Sequence, residues 1–257
     1  MPSIVIDKRF CGPPKSANGG YACGLLAAHI DGDAEVTLLA PPPLDQPLNI
    51  VAGERGVELR GKDTTLAIGR TVRMDVPEIA VVGFREAQDA VARSPYDDSR
   101  HPLPTCFVCG PARMHGDGLR IIPHPLPQRP DRKKGTLAAA WVPYANLAGK
   151  DGAVAREFIW AILDCPTGFA GVGARHLGMT GGEAILLGRM SARIDKRPHP
   201  GDQCIVVGWP TGRDGRKIFA SSALLSSGGE LLAIAQATWI VVDRHVQLGE
   251  PAARDRR

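Results

Sequence analysis

Two segments of the chain are apolar on almost every side. The first runs from Asn18 to Ile30 and the second from Arg156 to Cys165. A helix that is apolar all round has to be surrounded by protein, because a helix on a surface keeps one polar face. Asn18 is a favourable N-cap for the first helix, and Pro166 and Gly168 predict the end of the second. The pattern therefore predicts two buried helices.

Short β-type runs, separated by clusters of proline and glycine, follow each of the two helices. The runs are Val36 to Ala40, Asn49 to Ala52, Gly56 to Arg60 and Thr65 to Val72 after the first helix, and Ile185 to Ile194, Gln203 to Trp209, Lys217 to Ser226 and Glu230 to Val242 after the second. Asp214-Gly215 between two of these runs is a strong hairpin signal. A helix followed by an antiparallel sheet is therefore predicted twice.

A short internal repeat relates the two halves. Leu66-Ala67-Ile68-Gly69-Arg70 in the last strand of the first half lines up with Leu232-Ala233-Ile234-Ala235-Gln236 in the last strand of the second. Between the halves, Val76 to Pro104 is rich in proline and charge and predicts a connection across the surface. We place the first domain with its linker at residues 1–104, and the second domain with a flexible tail at residues 105–257.

Composition and charge narrow the class of protein. With 257 residues, 44% hydrophobic and 23% charged, the chain can bury sizeable cores. Its net charge of +4 is not gathered in a basic run, which argues against nucleic acid and favours a weakly anionic small ligand. No apolar run is long enough to span a bilayer, and no secretory signal precedes Ala22. Six cysteines are then best explained as reduced thiols. We expect a cytoplasmic protein without a membrane partner.

Several motifs, in this order and spacing, resemble those of known thioesterases. Asn18-Gly19-Gly20-Tyr21 is similar to the His/Asn-Gly-Gly opening of the central helix in the N-terminal hotdog of the acyl-CoA thioesterase II family. Cys106-Phe107-Val108-Cys109-Gly110, leading to Gly118-Leu119-Arg120-Ile121, resembles the opening of PaaI-like thioesterase domains. Ala161-Ile162-Leu163-Asp164 and Leu232 to Gln236 resemble the helix aspartate and final-strand glutamine of the second acyl-CoA thioesterase II hotdog.

The resemblance covers most of residues 3–243 and implies an α+β double hotdog. Each unit would be an antiparallel sheet wrapped around a central apolar helix, with the two sheets joined edge to edge. It also implies hydrolysis of a fatty-acyl or aryl thioester of coenzyme A. Because fused hotdogs form a pseudo-dimer whose exposed sheet faces tend to be covered, we expect a homodimer.

Two other functions stay open on the same fold. One is a non-catalytic carrier of acyl-CoA or lipid, which would need the acyl tunnel but no working base. The other is a hydratase or dehydratase, which is less favoured because hotdog hydratases usually pair an aspartate with a histidine in one short segment, whereas His29 lies at the far end of its helix. The sequence does not reveal the acyl group, since tunnel length depends on packing.

Glycines at the start of the first helix could let a thioester carbonyl bind there. Free backbone N–H groups and the helix dipole favour negative charge at this end. Gly19 and Gly20 let a carbonyl approach the backbone, and the amides of Gly20 or Tyr21 could stabilise the developing oxyanion. The alternative is that both glycines only permit close packing of helix against sheet. Asn18 can orient a substrate, but its amide cannot serve as a base.

Asp164 is the candidate for activating the attacking water. A carboxylate among the apolar side chains of the second helix is costly to bury unpaired, and such placements often mark function. The alternative is a helix-end carboxylate that caps a neighbouring backbone group. Gln236 could hold the same water, unless it forms a cross-strand hydrogen bond or faces outward. We predict one composite site per chain, in which the Asn18 to Gly20 helix start faces Asp164 and Gln236.

Charged and metal-binding candidates complete the prediction. Arg193, grouped with Arg189, Lys196 and Arg197, could meet coenzyme A phosphates, although such a charge run is usually a solvated face. Cys106-x-x-Cys109 has the spacing of a zinc pair and has His101 and His115 nearby. A structural site needs four ligands, and no second cysteine pair follows at suitable spacing. We therefore expect no metal, and the lack of a glycine-rich dinucleotide loop predicts no redox cofactor.

Overall fold

The computed structural model describes residues 3–79, 82–92, 98–172 and 182–251. Its helices are α1 (Gly19–Ala27), α2 (Phe84–Ala92), α3 (Arg156–Val172) and α4 (Arg244–Leu248). Its strands are β1 (Ser3–Val5), β2 (Ala34–Leu38), β3 (Pro47–Gly53), β4 (Gly56–Arg60), β5 (Thr65–Thr71), β6 (His124–Pro125), β7 (Leu137–Trp141), β8 (Glu183–Ile194), β9 (Cys204–Asp214), β10 (Lys217–Ser226) and β11 (Leu231–Asp243). None of the helices in these ranges is long and apolar enough to cross a membrane.

The strands of the described residues form one antiparallel sheet in the order β1-β3-β4-β5-β2-β8-β11-β10-β9-β7-β6. Strands of the first half lie on one side and strands of the second half on the other. The halves join where β2 pairs with β8, in the register Ala34↔Ala192 and Val36↔Met190. Helices α1 and α3 pack against each other on one face of this sheet, and their buried residues belong to the same core cluster as those of the strands. The predicted α+β double hotdog is confirmed.

Glycines bring α1 and α3 into close contact. A Cβ atom added at Gly20 would lie 2.4 Å from Asp164 Cβ and 2.7 Å from the Trp160 carbonyl oxygen. One turn later, a Cβ at Gly24 would lie 2.6 Å from Glu157 Cα. Real Cβ atoms do not approach other atoms this closely, so only glycine permits this separation of the helix axes. The contact sets the start of α1 directly against the middle of α3.

Helix α3 continues through Pro166, contrary to the predicted stop at that residue. A proline has no N–H to donate to the carbonyl four residues earlier, and its ring pushes the preceding turn open. The carbonyl that loses its donor is that of Ile162, and the carbonyl next to it, that of Leu163, accepts the buried Ser222 hydroxyl of β10 at 2.6 Å. The Thr167 hydroxyl donates to the Asp164 carbonyl at 2.6 Å. These bonds, together with burial of Phe169, hold the helix beyond the proline.

Replacing Ser222 with alanine should therefore destabilise the protein by about 1–3 kcal/mol, the usual cost of leaving a buried polar group unpaired. Urea denaturation would measure this loss as a lower free energy of unfolding. Ser221→Ala is the matched control, because Ser221 is also buried on β10 but donates no hydrogen bond within the described ranges. Equal stability of the two variants would contradict the role assigned to Ser222.

The predicted surface connection between the halves contains helix α2 in its described residues. Within it, α2 packs on the outer face of the second half, where Ala87 joins a second apolar cluster with Trp209 and Ile234. Arg132 fixes the helix through an ion pair with Glu86 at 3.0 Å. The outer face of the sheet is thus partly covered. The boundary at residue 104 stays a prediction.

Candidate active site

Asn18 links the two halves at the start of α1. As the N-cap, its Oδ1 accepts the Tyr21 N–H at 2.9 Å. Its Nδ2 donates to Asp164 Oδ2 at 3.0 Å. The side chain is almost fully buried, with 3% of its surface exposed. Its amide is therefore held in one orientation by a cap on one side and a carboxylate on the other.

Asp164 lies on the α3 face that meets α1, and it is 1% exposed. Its Oδ2 accepts the Gly20 N–H at 2.9 Å as well as the Asn18 amide. Its Oδ1 accepts no hydrogen bond from any residue that the structure describes. Burial raises the pKa of this carboxyl to about 7, and the bond from Gly20 opposes that rise. One oxygen is thus fixed by two hydrogen bonds, and the other is buried without a hydrogen-bond partner among the described residues.

The amides at the start of α1 are not equally available. The Gly20 N–H is bonded to Asp164 and the Tyr21 N–H to Asn18, so neither is free to receive an oxyanion as we had expected. Asn18 and Ala22 donate to backbone carbonyls. The Gly19 N–H has no acceptor within residues 3–79, 82–92, 98–172 and 182–251. Gly19 also borders the cavity, which makes it the unpaired donor at this helix end.

The Tyr21 side chain does not join the site. Its ring stacks on Phe10 with centroids 4.2 Å apart and lies near Phe107 and Phe158 in an aromatic cluster. Burial raises the pKa of its phenol above the usual range. The Tyr21 side chain is therefore a packing group, and since its N–H is bonded to Asn18, the substrate-binding role that we expected for Tyr21 through its amide has no support in this geometry.

An apolar cavity of about 240 Å³ opens beside Asn18, Gly19 and Asp164. Its wall is formed by residues from both halves, including Leu38, Leu187, Phe169 and Trp239. Such a lining suits an apolar chain, and the few polar groups at one place can fix its orientation. His101, considered earlier only as a metal ligand, is also in this wall.

Three buried thiols lie in the same wall as Asp164. Cys106 and Cys109 come from the loop before β6, and Cys165 follows Asp164 on α3. The sulfur atoms all lie within 4.8 Å of one another, and Cys106 Sγ is 3.9 Å from Cys165 Sγ. Hydrogen bonds from the other two thiols hold the pKa of Cys106 below its usual range. Cys165 was not predicted as a metal ligand, because it lies far along the chain from the Cys106-x-x-Cys109 pair.

The structure does not bring Gln236 to Asp164. Gln236 is exposed and pairs in register with Ser191, which in turn pairs with Glu35. Glu35 pairs with Arg70, so these four residues form a row across the outer face of the central strands. Strand alternation places the outer row away from α3. The outward-facing alternative for Gln236 is therefore correct, and its assignment to the water site is wrong.

Arg193 and its cationic neighbours also lie away from the cavity wall. Arg193 forms an ion pair with Asp195 at 2.7 Å. Lys196 pairs with Glu230, and Arg197 pairs with Asp151. Each positive charge already has a carboxylate partner on the surface. The solvated-face interpretation fits these contacts better than a phosphate site.

Similar architectures occur among solved structures of thioesterases. Acyl-CoA thioesterase II TesB2 of Mycobacterium marinum superposes with a TM-score of 0.59 at 10% identity, over 94% of this chain and 92% of that one. A putative thioesterase II of Thermobifida fusca gives 0.57 at 15% identity, over 93% and 92%. The tesB protein of Mycobacterium avium subsp. paratuberculosis gives 0.54 at 15% identity, over 88% and 87%. No family model and no curated protein matches the sequence. At these identities the likeness shows the fold.

Proposed function

We propose that this protein hydrolyses an acyl thioester of coenzyme A at the junction of its two halves. The observation that carries the proposal is the position of Asp164. One oxygen of this buried carboxylate is held by the start of α1 from the other half, and its second oxygen is unpaired beside an apolar cavity. Similarity to thioesterase structures over nearly the whole chain supports the same reaction class.

The proposed reaction needs a general base for the attacking water and a hydrogen-bond donor for the oxyanion. A water held by Asp164 Oδ1 attacks the thioester carbonyl carbon, and its proton moves to that oxygen. The carbonyl oxygen becomes negative and accepts the unpaired Gly19 N–H at the positive end of α1. The carbon–sulfur bond then breaks, and the proton passes from Asp164 to the leaving sulfur. The products are a carboxylic acid and free coenzyme A thiol.

The residues around Asp164 and Gly19 position these two groups and bind the acyl chain. Asn18 and the Gly20 N–H hold the carboxylate through Oδ2, so these two bonds fix its orientation and leave Oδ1 to hold the water. The apolar wall holds a fatty-acyl or aryl group and keeps bulk water from the reacting carbon. The site requires both halves, because the carboxylate and the helix start come from different units.

A panel of acyl-CoAs of graded chain length, with aryl-CoAs included, tests the proposal. Release of free coenzyme A thiol by the purified full chain should be measured against time for each substrate. Enzymatic turnover of at least one member is expected. Tight binding without thiol release across the panel would contradict hydrolysis and favour the carrier function.

The same panel tests the hydratase alternative. His101 borders the cavity together with Asp164, although the two residues come from distant segments. Adding a 2-enoyl-CoA and following loss of its conjugated absorbance separates hydration from hydrolysis. Hydration without thiol release would replace the thioesterase proposal.

Leu187→Ala should shift selectivity toward longer acyl chains, because Leu187 lines the cavity beside Gly19 and its truncation enlarges the cavity. Each extra methylene accommodated contributes about 0.8 kcal/mol, or roughly fourfold in kcat/KM. The ratio of kcat/KM for two neighbouring chain lengths measures this shift. Leu59→Ala is the matched control, since Leu59 is a buried leucine of β4 outside the cavity wall. An equal shift in both variants would contradict a selective role for Leu187.

Self-association into a homodimer and a cytoplasmic location stay predictions.

A further inference from the structure

We propose that Cys106, Cys109 and Cys165 bind one zinc ion in the wall of the cavity. Their sulfur atoms lie within 4.8 Å of one another. A zinc–sulfur bond of about 2.3 Å in tetrahedral geometry separates two sulfur ligands by about 3.8 Å. The distance from Cys106 Sγ to Cys165 Sγ is 3.9 Å. The thiols are thus near zinc-binding geometry with little rearrangement.

The loop that carries Cys106 and Cys109 is a tight, fixed turn. The Gly110 N–H donates to the Cys106 carbonyl at 2.9 Å. A Cβ at Gly110 would lie 2.5 Å from that same oxygen, so the turn closes only with glycine there. Backbone bonds from Leu119 to Phe107 and from Ile121 to Val108 tie the loop down. The loop therefore holds the two sulfur atoms near each other before zinc binds, so binding need not order the loop.

The third sulfur comes from α3, which explains why sequence spacing did not reveal it. Cys165 is buried and follows Asp164 directly. A disulfide between any two of these cysteines would leave the third thiol unpaired, whereas one metal ion uses all three. Soft thiolate ligands select zinc over hard cations such as magnesium or calcium.

The surroundings favour a charged thiolate–metal group. Asn18 Nδ2 is 3.9 Å from Cys165 Sγ and can donate an N–H to that sulfur. Hydrogen bonds of this kind commonly orient and stabilise the ligands of a metal ion. The cysteines and Asp164 line one cavity, which leaves the fourth zinc position facing that cavity. Three protein ligands with an open fourth position are typical of zinc sites that contact water or substrate.

Metal analysis of the purified full chain tests the site without measuring activity. Protein expressed in zinc-supplemented medium and passed over a desalting column should contain about one zinc per chain by elemental mass spectrometry. Cys165→Ser should lose most of this zinc. Cys204→Ser is the matched control, because Cys204 is a buried cysteine on β9 outside the cluster, and it should keep the metal.

Cobalt gives an independent measurement on the wild-type chain, which matters if Cys165→Ser does not fold. Co²⁺ bound by three thiolates should produce strong sulfur-to-cobalt charge-transfer absorption and the visible bands of a tetrahedral ion. Wild-type protein without zinc and without these bands would overturn the proposal. Full zinc occupancy in folded Cys165→Ser would also overturn it. Because neither readout depends on thioester hydrolysis, an inactive protein tests the site equally well.

Discussion

Asp164→Asn should lower acyl-CoA hydrolysis by about 10²-fold or more, the usual effect of losing a general base. Asparagine has nearly the same shape and can still accept the Gly20 N–H, so the contact between α1 and α3 survives. It cannot take a proton from water. The loss should therefore appear in kcat, with KM changed little.

Gln236→Ala is the control for this experiment. Gln236 was a candidate for the same water, but it lies exposed on the outer face of β11. Its removal should leave turnover within about twofold of wild type, as for most surface substitutions. Wild-type turnover in folded Asp164→Asn, or a large loss in Gln236→Ala, would contradict the site that the geometry supports.

Gly20→Ala should both destabilise the protein and abolish most of its activity. The added methyl group would lie 2.4 Å from Asp164 Cβ and 2.7 Å from the Trp160 carbonyl oxygen, so α1 and α3 must separate. Overpacking of this kind costs about 1–3 kcal/mol, and the better helix propensity of alanine returns at most about 1 kcal/mol. We expect a net loss of about 1–2 kcal/mol in urea denaturation.

Substitutions at two further glycines distinguish a loss of stability from a loss of activity. Gly24→Ala should cost similar stability, because its Cβ would meet Glu157 Cα at 2.6 Å, but it lies one turn from the carboxylate and should retain much of the turnover. Gly83→Ala meets no atom within 4 Å and should change stability by less than about 0.5 kcal/mol. If Gly20→Ala is as stable as Gly83→Ala, the contact between α1 and α3 can accommodate a methyl group, which would contradict the need for glycine at position 20.

The buried helices and the long strands were predictable because their apolar periodicity is strong. The strands after α1 and α3 lie where predicted, with boundaries shifted by a few residues. Strand β7 was missed because its sequence, Leu-Ala-Ala-Ala-Trp, has low β propensity. The stop at Pro166 was wrong because Ser222, from a strand far along the chain, supplies a hydrogen bond that local sequence cannot show.

The site was predictable only in part. Asn18, Gly20 and Asp164 were identified because capping, glycine and an isolated carboxylate each have a local signature. Gln236 was misplaced because β11 has apolar residues on both faces: Ala235 packs inward, while Ile234 packs under the cover of α2. The alternation of apolar and polar residues along β11 then does not show which face of the strand points toward the helices. The approach of Cys165 to Cys106 depends on tertiary packing alone.

The contact between Gly20 and Asp164 also has a consequence for synthesis of the chain, because 144 positions separate the two residues. A ribosome adding 5–20 residues per second needs roughly 7 to 30 s to cover this interval. During that time α1 has emerged without the helix it packs against, and its apolar surface has only the strands of the first half for cover. The nascent chain thus passes through a period in which chaperone capture and misassociation compete with folding.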